Sequence, residues 1–195
     1  MKNMKKGWKD LTLRQAIEID QLGDMDEIDL TINQMAIIRD TTIDEIEKLN
    51  PIELIEFVKE YDFMGTFPEP KQIKTFKKNK LRFGMTELTE LKLAQMVDIE
   101  EYYSDGFLKN AHKILSVLYL RTKSYNFINK KYTLEDYKQD TDRENMFLDM
   151  DMDFIWSNLL FFWTIGKIYM KDLEDYSVER VKILRGEMTD LMNED

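Results

Sequence analysis

The chain contains no cysteine, a single histidine (His112), three prolines and seven glycines in 195 residues. Without cysteine there is no disulfide, no thiolate zinc site and no thiol nucleophile. One histidine leaves no second ring to share a metal and no hydroxyl–histidine relay with a spare base. Glycine-rich phosphate loops and the strained turn of a nucleophile elbow are missing too. Long apolar runs are also scarce. The uncharged stretch Phe154–Ile165 lies between Asp153 and Lys167, well short of the ~20 residues a membrane span requires, and reads as a buried helix. Basic residues are outnumbered, 28 against 38, for a net charge of -10. That excess repels nucleic acid over the molecule as a whole and favours solubility or a basic protein partner.

What is present is the grammar of a globular helical protein. Hydrophobic residues make up 43%, aromatics 12% and charged residues 34%, enough apolar surface to build a sizeable core in one domain or two small ones. The basic start MKNMKKGWK is followed by no apolar segment, so no signal peptide is expected and a reducing, cytoplasmic setting fits. Thr12-Leu-Arg-Gln15 is a capping box and predicts a helix near Leu13–Gln21. Asp24 or Asp26 can cap a second helix through Ile28, Ile32, Met35, Ala36 and Ile38. Thr42-Ile-Asp-Glu45 repeats the box for a short helix, and Asn50-Pro51 gives a cap with proline at the first helical position, opening a fourth over Leu54, Ile55, Phe57 and Val58.

Phe63–Pro70 holds two prolines and a glycine and must leave the helical region. Lys71–Met85 alternates around a turn-prone Lys-Asn pair and predicts a two-stranded hairpin, which would be marginal alone. Helical spacing resumes with Thr89 capping a helix through Leu91–Tyr103. Phe107–Leu120 is apolar around most of its circumference and predicts a central helix. Thr133 is expected to open another brief helix after a polar loop, and Tyr176–Met192 a surface helix. The expected architecture is therefore mainly α, a multi-helix bundle with one small β-hairpin. It divides into an N-terminal helical region (1–65), a linker with the basic hairpin (66–85) and a C-terminal helical core (86–195).

Four features compete as sites. The run Asp149-Met-Asp-Met-Asp153 alternates carboxylates as a calcium loop does, but Phe154 occupies the position that loop gives to glycine, and acids at a helix start are favoured by its positive end. Capping is the expected role, with no metal and no cofactor. His112 reads as a half-exposed structural histidine. Segment 71–82 carries Lys71, Lys74, Lys77, Lys78, Lys80 and Arg82 with no acid; Lys74, Lys77, Lys78 and Lys80 are the candidate contacts, to an acidic protein surface rather than to nucleic acid. Phe76 and Phe83 beside them could offer stacking surfaces. Trp156, Phe161, Phe162 and Trp163, with Tyr169, exceed one narrow stripe, so part of that aromatic surface is a candidate interface. Acid pairs such as Glu100-Glu101 arise by chance in so acidic a chain, and no catalytic residue is assigned.

The order of the segments LTLRQAIEID, TTIDEIEKLNPIELIEF, LTELKLAQMVDIEEYY and NAHKILSVLYLR, spanning Leu11–Leu120, resembles small phage-encoded proteins described as tail or baseplate assembly chaperones. The resemblance implies a non-enzymatic protein of the host cytoplasm that holds a phage structural protein, or that enters the virion itself. It supplies no catalytic or ligand residues. A homo- or hetero-oligomer stays open on this reading, with no membrane role. An acidic inhibitor of a basic host protein is the other alternative.

Overall fold

The computed structural model describes residues 6–162. The chain divides into two compact units, Met1–Leu159 and Leu160–Asp195, and the architecture below is that of the first. It opens with four helices: α1 (Leu13–Asp20), α2 (Glu27–Arg39), α3 (Ile43–Ile46) and α4 (Pro51–Glu60). Their starts are set by side chains that satisfy orphan amides. Thr12 Oγ accepts from the Gln15 amide at 3.3 Å while Gln15 Oε1 accepts from the Thr12 amide at 3.0 Å. Asp26 accepts from the amides of Ile28 and Asp29, and Asn50 from those of Ile52 and Glu53. Asp40, in the left-handed region at φ 51°, closes α2. Met35, Ala36, Ile46 and Phe57 form a buried cluster, flanked by Ile32, Leu49 and Leu54.

A four-stranded antiparallel sheet follows, in the order β1 (Thr75–Lys78), β2 (Leu81–Met85), β3 (Tyr119–Tyr125) and β4 (Tyr132–Leu134). Between β2 and β3 lie α5 (Leu93–Ser104) and α6 (Ala111–Leu118); α7 (Thr141–Leu148) and a last helix, α8, over residues 152–162 follow β4. The expectation of a mainly α bundle with one small hairpin is thereby corrected to a mixed α and β fold. Residues 75–85 do form a hairpin, but it is half of the sheet.

The other half occupies sequence read as helix and loop. The helix expected over Phe107–Leu120 runs only from Ala111 to Leu118, because Tyr119 pairs with Met85 and Leu120 with Gly84. A strand edge already supplied by β2 outweighs the helical spacing of this Tyr-Leu-Arg-Thr-Lys-Ser-Tyr run, whose aromatic and β-branched members suit a pleat. Thr133 likewise opens no helix. It stands opposite Ser124 in the β3–β4 ladder, their hydroxyls 2.7 Å apart.

The sheet's inner face meets α7 and α8 through rings. Phe76 lies 5.2 Å from Phe83, 5.2 Å from Tyr119, 5.9 Å from Phe147 and 4.9 Å from Phe154. Phe83 is thus a core residue, and half-buried Phe76 is occupied by ring contacts within the fold rather than free for stacking. The Tyr119 hydroxyl reaches Asn158 Oδ1 at 2.6 Å and the Ile73 carbonyl at 2.5 Å, tying β3 to α8 and to the strap that leads into β1. Arg143 of α7, buried, donates to the carbonyls of Ser116 and Lys138 at 2.8 and 2.7 Å. An isolated bridge joins Thr12 to Asp151 and anchors the N-terminal helices on this core. Asp151 caps α8, accepting from the Phe154 amide at 2.9 Å, and Asp149 pairs with Arg14 at 2.9 Å. Among the described residues no three His, Cys, Asp or Glu are grouped to share an ion, and no helix is long and apolar enough to cross a membrane.

Candidate interaction surface

Antiparallel register brings two distant basic segments together. The turn between β1 and β2 falls at Asn79-Lys80, between the paired residues Lys78 and Leu81. Strand β2 begins at that end of the sheet, and β3, running the other way beside it, finishes there, so the turn between β3 and β4 is at the same end. Arg82 confirms the placement: its guanidinium lies 3.8 Å from the centroid of the Tyr125 ring and 5.5 Å from that of Phe127. Residues 70–86 and 106–134 contain no Asp or Glu. Among the described residues Lys77, Lys78, Lys80, Lys130 and Lys131 have no ion-pair partner, whereas Lys123 reaches Asp136 at 3.4 Å and Arg121 reaches Glu135 at 3.7 Å. That end of the sheet is cationic in a chain that is acidic overall.

That end also presents apolar side chains. Phe127 is 74% exposed and Ile128 is 95% exposed. The turn that carries them is held by its own asparagines. Asn126 Oδ1 accepts from the amides of Ile128 and Asn129 at 2.9 and 3.4 Å, Asn129 Oδ1 accepts from the Lys131 amide at 3.0 Å, and the Asn126 amide donates to the Lys131 carbonyl at 2.8 Å. Such side-chain-to-backbone bonds fix a turn without a packed core. The Phe127 ring stands edge-on to Tyr125 at 5.0 Å. An ordered knob loses little conformational freedom on binding, and burying a Phe or Ile side chain stabilises a contact by about 1.5–3 kcal/mol.

Both tips hold a lysine where the backbone favours glycine. Lys80 has φ 65° after Asn79 at φ 50°, a two-residue turn of the mirror-image type, and Lys130 has φ 56°. Glycine adopts this region without the steric penalty that a Cβ brings. In each turn the costlier residue is the one that adds charge.

A second exposed apolar surface lies on α5. Leu93 is 78% exposed, Val97 52% and Met96 42%; with Glu100 and Glu101 one turn on they form a single helical stripe. Gln95 is buried beneath and donates to the Val117 carbonyl at 3.0 Å, while the Tyr102 ring lies 5.2 Å from Lys113 Nζ. The start of α5 is therefore beside the end of α6 and its end beside the start of α6. The chain leaving β4 heads away from the tips and meets α5 in order, Asp136 at Lys92, Tyr137 at Asp98 and Gln139 at Tyr102, so α5 extends away from them. Glu90, Glu100 and Glu101 have no ion-pair partner among the described residues.

The expected contacts are dispersed. Lys77, Lys78 and Lys80 sit at the cationic tip; Lys74 is at the opposite end of β1, 4.0 Å from Glu87. Trp156 is half-buried, edge-on to Trp8 at 6.2 Å and to Phe67 at 5.1 Å. Phe161 and Phe162 are helical and half-buried; Trp163, Tyr169 and the helix expected over Tyr176–Met192 lie outside the described residues. Burial, with the charges of Lys113 and Arg14, holds the pKa of His112 down to about 4. Open concavities of about 760 Å³ lie beside the β3–β4 turn and of about 500 Å³ between α1 and α3.

No family model, curated protein or solved structure matches the chain.

Sequence reading named the lysines of the first tip and missed the second. The signal was in Asn126-Phe-Ile-Asn-Lys-Lys131: two turn-forming asparagines bracket two large apolar residues between tyrosine-bearing runs.

Proposed function

We propose that this protein acts by contact, as an assembly factor that engages another macromolecule through ordered, charged and apolar surfaces. One observation carries the reading: two segments some fifty residues apart converge to mount Phe127 and Ile128 among unpaired lysines on a rigid turn. A core would bury such side chains, and a solvated turn would dispense with them. The complementary partner is a protein with an apolar recess and an acidic rim. Nucleic acid would match the charge and could stack on Phe127, whereas an apolar recess on a protein covers Phe127 and Ile128 together. Taken with the resemblance of Leu11–Leu120 to phage tail assembly chaperones, the role proposed is to hold a phage structural protein before it is built into the particle.

The test is affinity capture of the tagged full chain from infected cells, followed by mass spectrometry, beside a Phe127→Ser/Ile128→Ser variant. The expected result is a stoichiometric phage protein present with the parent chain and lost with the variant, whose melting temperature is unchanged. Recovery of the same proteins by both chains would remove the tip from the account.

A further inference from the structure

We infer that the partner fitting both exposed surfaces is a second copy of this chain, joined head to tail with the cationic tip of one molecule on the α5 face of the next. The inference rests on the contact reading above and names one of its partners. The tip offers two apolar side chains inside a ring of lysines without ion pairs; α5 offers Leu93, Met96 and Val97 beside Glu100 and Glu101, which are likewise unpaired among the described residues. Each surface supplies what the other lacks. The two point to opposite ends of the first unit, since α5 runs away from the sheet end that bears the tips. Held apart on one unit, the two cannot meet each other, and a two-fold dimer that opposed tip to tip would set lysine against lysine. A head-to-tail contact pairs unlike charges and repeats, giving a ring or an open row according to its rotation. Beyond the screening length, about 8 Å at physiological salt, the net charge of -10 contributes little, so the local charges decide.

Sedimentation velocity on the full chain across a wide concentration range, at about 0.05 M and about 0.5 M salt, reads the association and its screening. The parent is expected to form species larger than a dimer at low salt, which shrink at high salt. Lys80→Glu/Lys130→Glu/Lys131→Glu should weaken association about ten-fold or more, and Glu100→Lys/Glu101→Lys should do the same. Mixing the two variants, or combining both sets in one chain, should restore it, a rescue that no loss of folding could produce. A parent that stays monomeric throughout, or weakened variants that fail to rescue each other, overturns the proposal. So does a monomer that binds phosphatidylglycerol vesicles or a single-stranded oligonucleotide through the tip. Capture of a phage protein by a chain that remains monomeric would leave the contact reading standing while this one falls.

Discussion

Lys80 and Lys130 concentrate the tension between stability and contact. Each holds a side chain in the left-handed region, at φ 65° and 56°, where glycine would relieve roughly 0.5–1 kcal/mol of strain. Lys80→Gly and Lys130→Gly are each expected to leave the melting temperature unchanged or raise it by a few degrees while weakening self-association in sedimentation. A fall in melting temperature with intact association would show that these lysines serve the fold. His112 gives a second test at this scale. Its native pKa, held down to about 4 against 6.5, means that the unfolded chain takes up a proton the native chain refuses. Stability is therefore lost as pH falls from about 6.5 towards 4, by about 1–2 kcal/mol after discounting for the solvent that reaches a half-exposed ring. Denaturant midpoints measured from pH 7 to pH 4 should fall less steeply for His112→Gln than for the parent, on a background set by the carboxylates.

At the scale of elements, Gly84 decides whether the two hairpins form one sheet. A Cβ there would lie 2.6 Å from Tyr132 Cε2 and 2.9 Å from Leu134 Cδ2, and Tyr132 crosses this spot to donate its hydroxyl to the Met85 carbonyl at 2.8 Å. Gly84→Ala is expected to cost about 1–3 kcal/mol and to speed amide exchange in β4 more than in α2. Arg143 holds a second junction, between α7, the end of α6 and the segment after β4. Arg143→Met should lower stability by about 2–4 kcal/mol by leaving two carbonyls without their donor; Arg143→Lys, lacking the planar fork, should recover only part of it in denaturant titration. These junctions explain what the sequence disclosed. Thr12, Asp26 and Asn50 act on amides two or three residues away, so the helix starts they set were readable as local patterns, and so was a turn in the Lys71–Met85 hairpin, read at Lys-Asn and found one residue later at Asn79-Lys80. The β3–β4 half was not, because Tyr119–Tyr125 is a strand only by virtue of β2 beside it. The candidate surface divides the same way: Lys77, Lys78 and Lys80 stood out as a run, whereas Phe127, Ile128 and the face of α5 acquire meaning only from where the sheet and α6 place them.

Across the first unit, the distribution of charge matters more than its total. An excess of acid alone would favour dispersal; gathering unpaired lysines at the sheet's tip and leaving unpaired glutamates on α5 gives an acidic protein two unlike ends. Both ends carry exposed large apolar side chains. The central claim is that these ends are where the protein does its work. Hydroxyl-radical footprinting of the complex captured from infected cells, compared with the purified chain, tests it most directly. The account predicts strong protection of Phe127 and Ile128, with Leu93, Met96 and Val97 protected wherever copies join. Unchanged labelling at the tip, with protection confined to other faces, would contradict it.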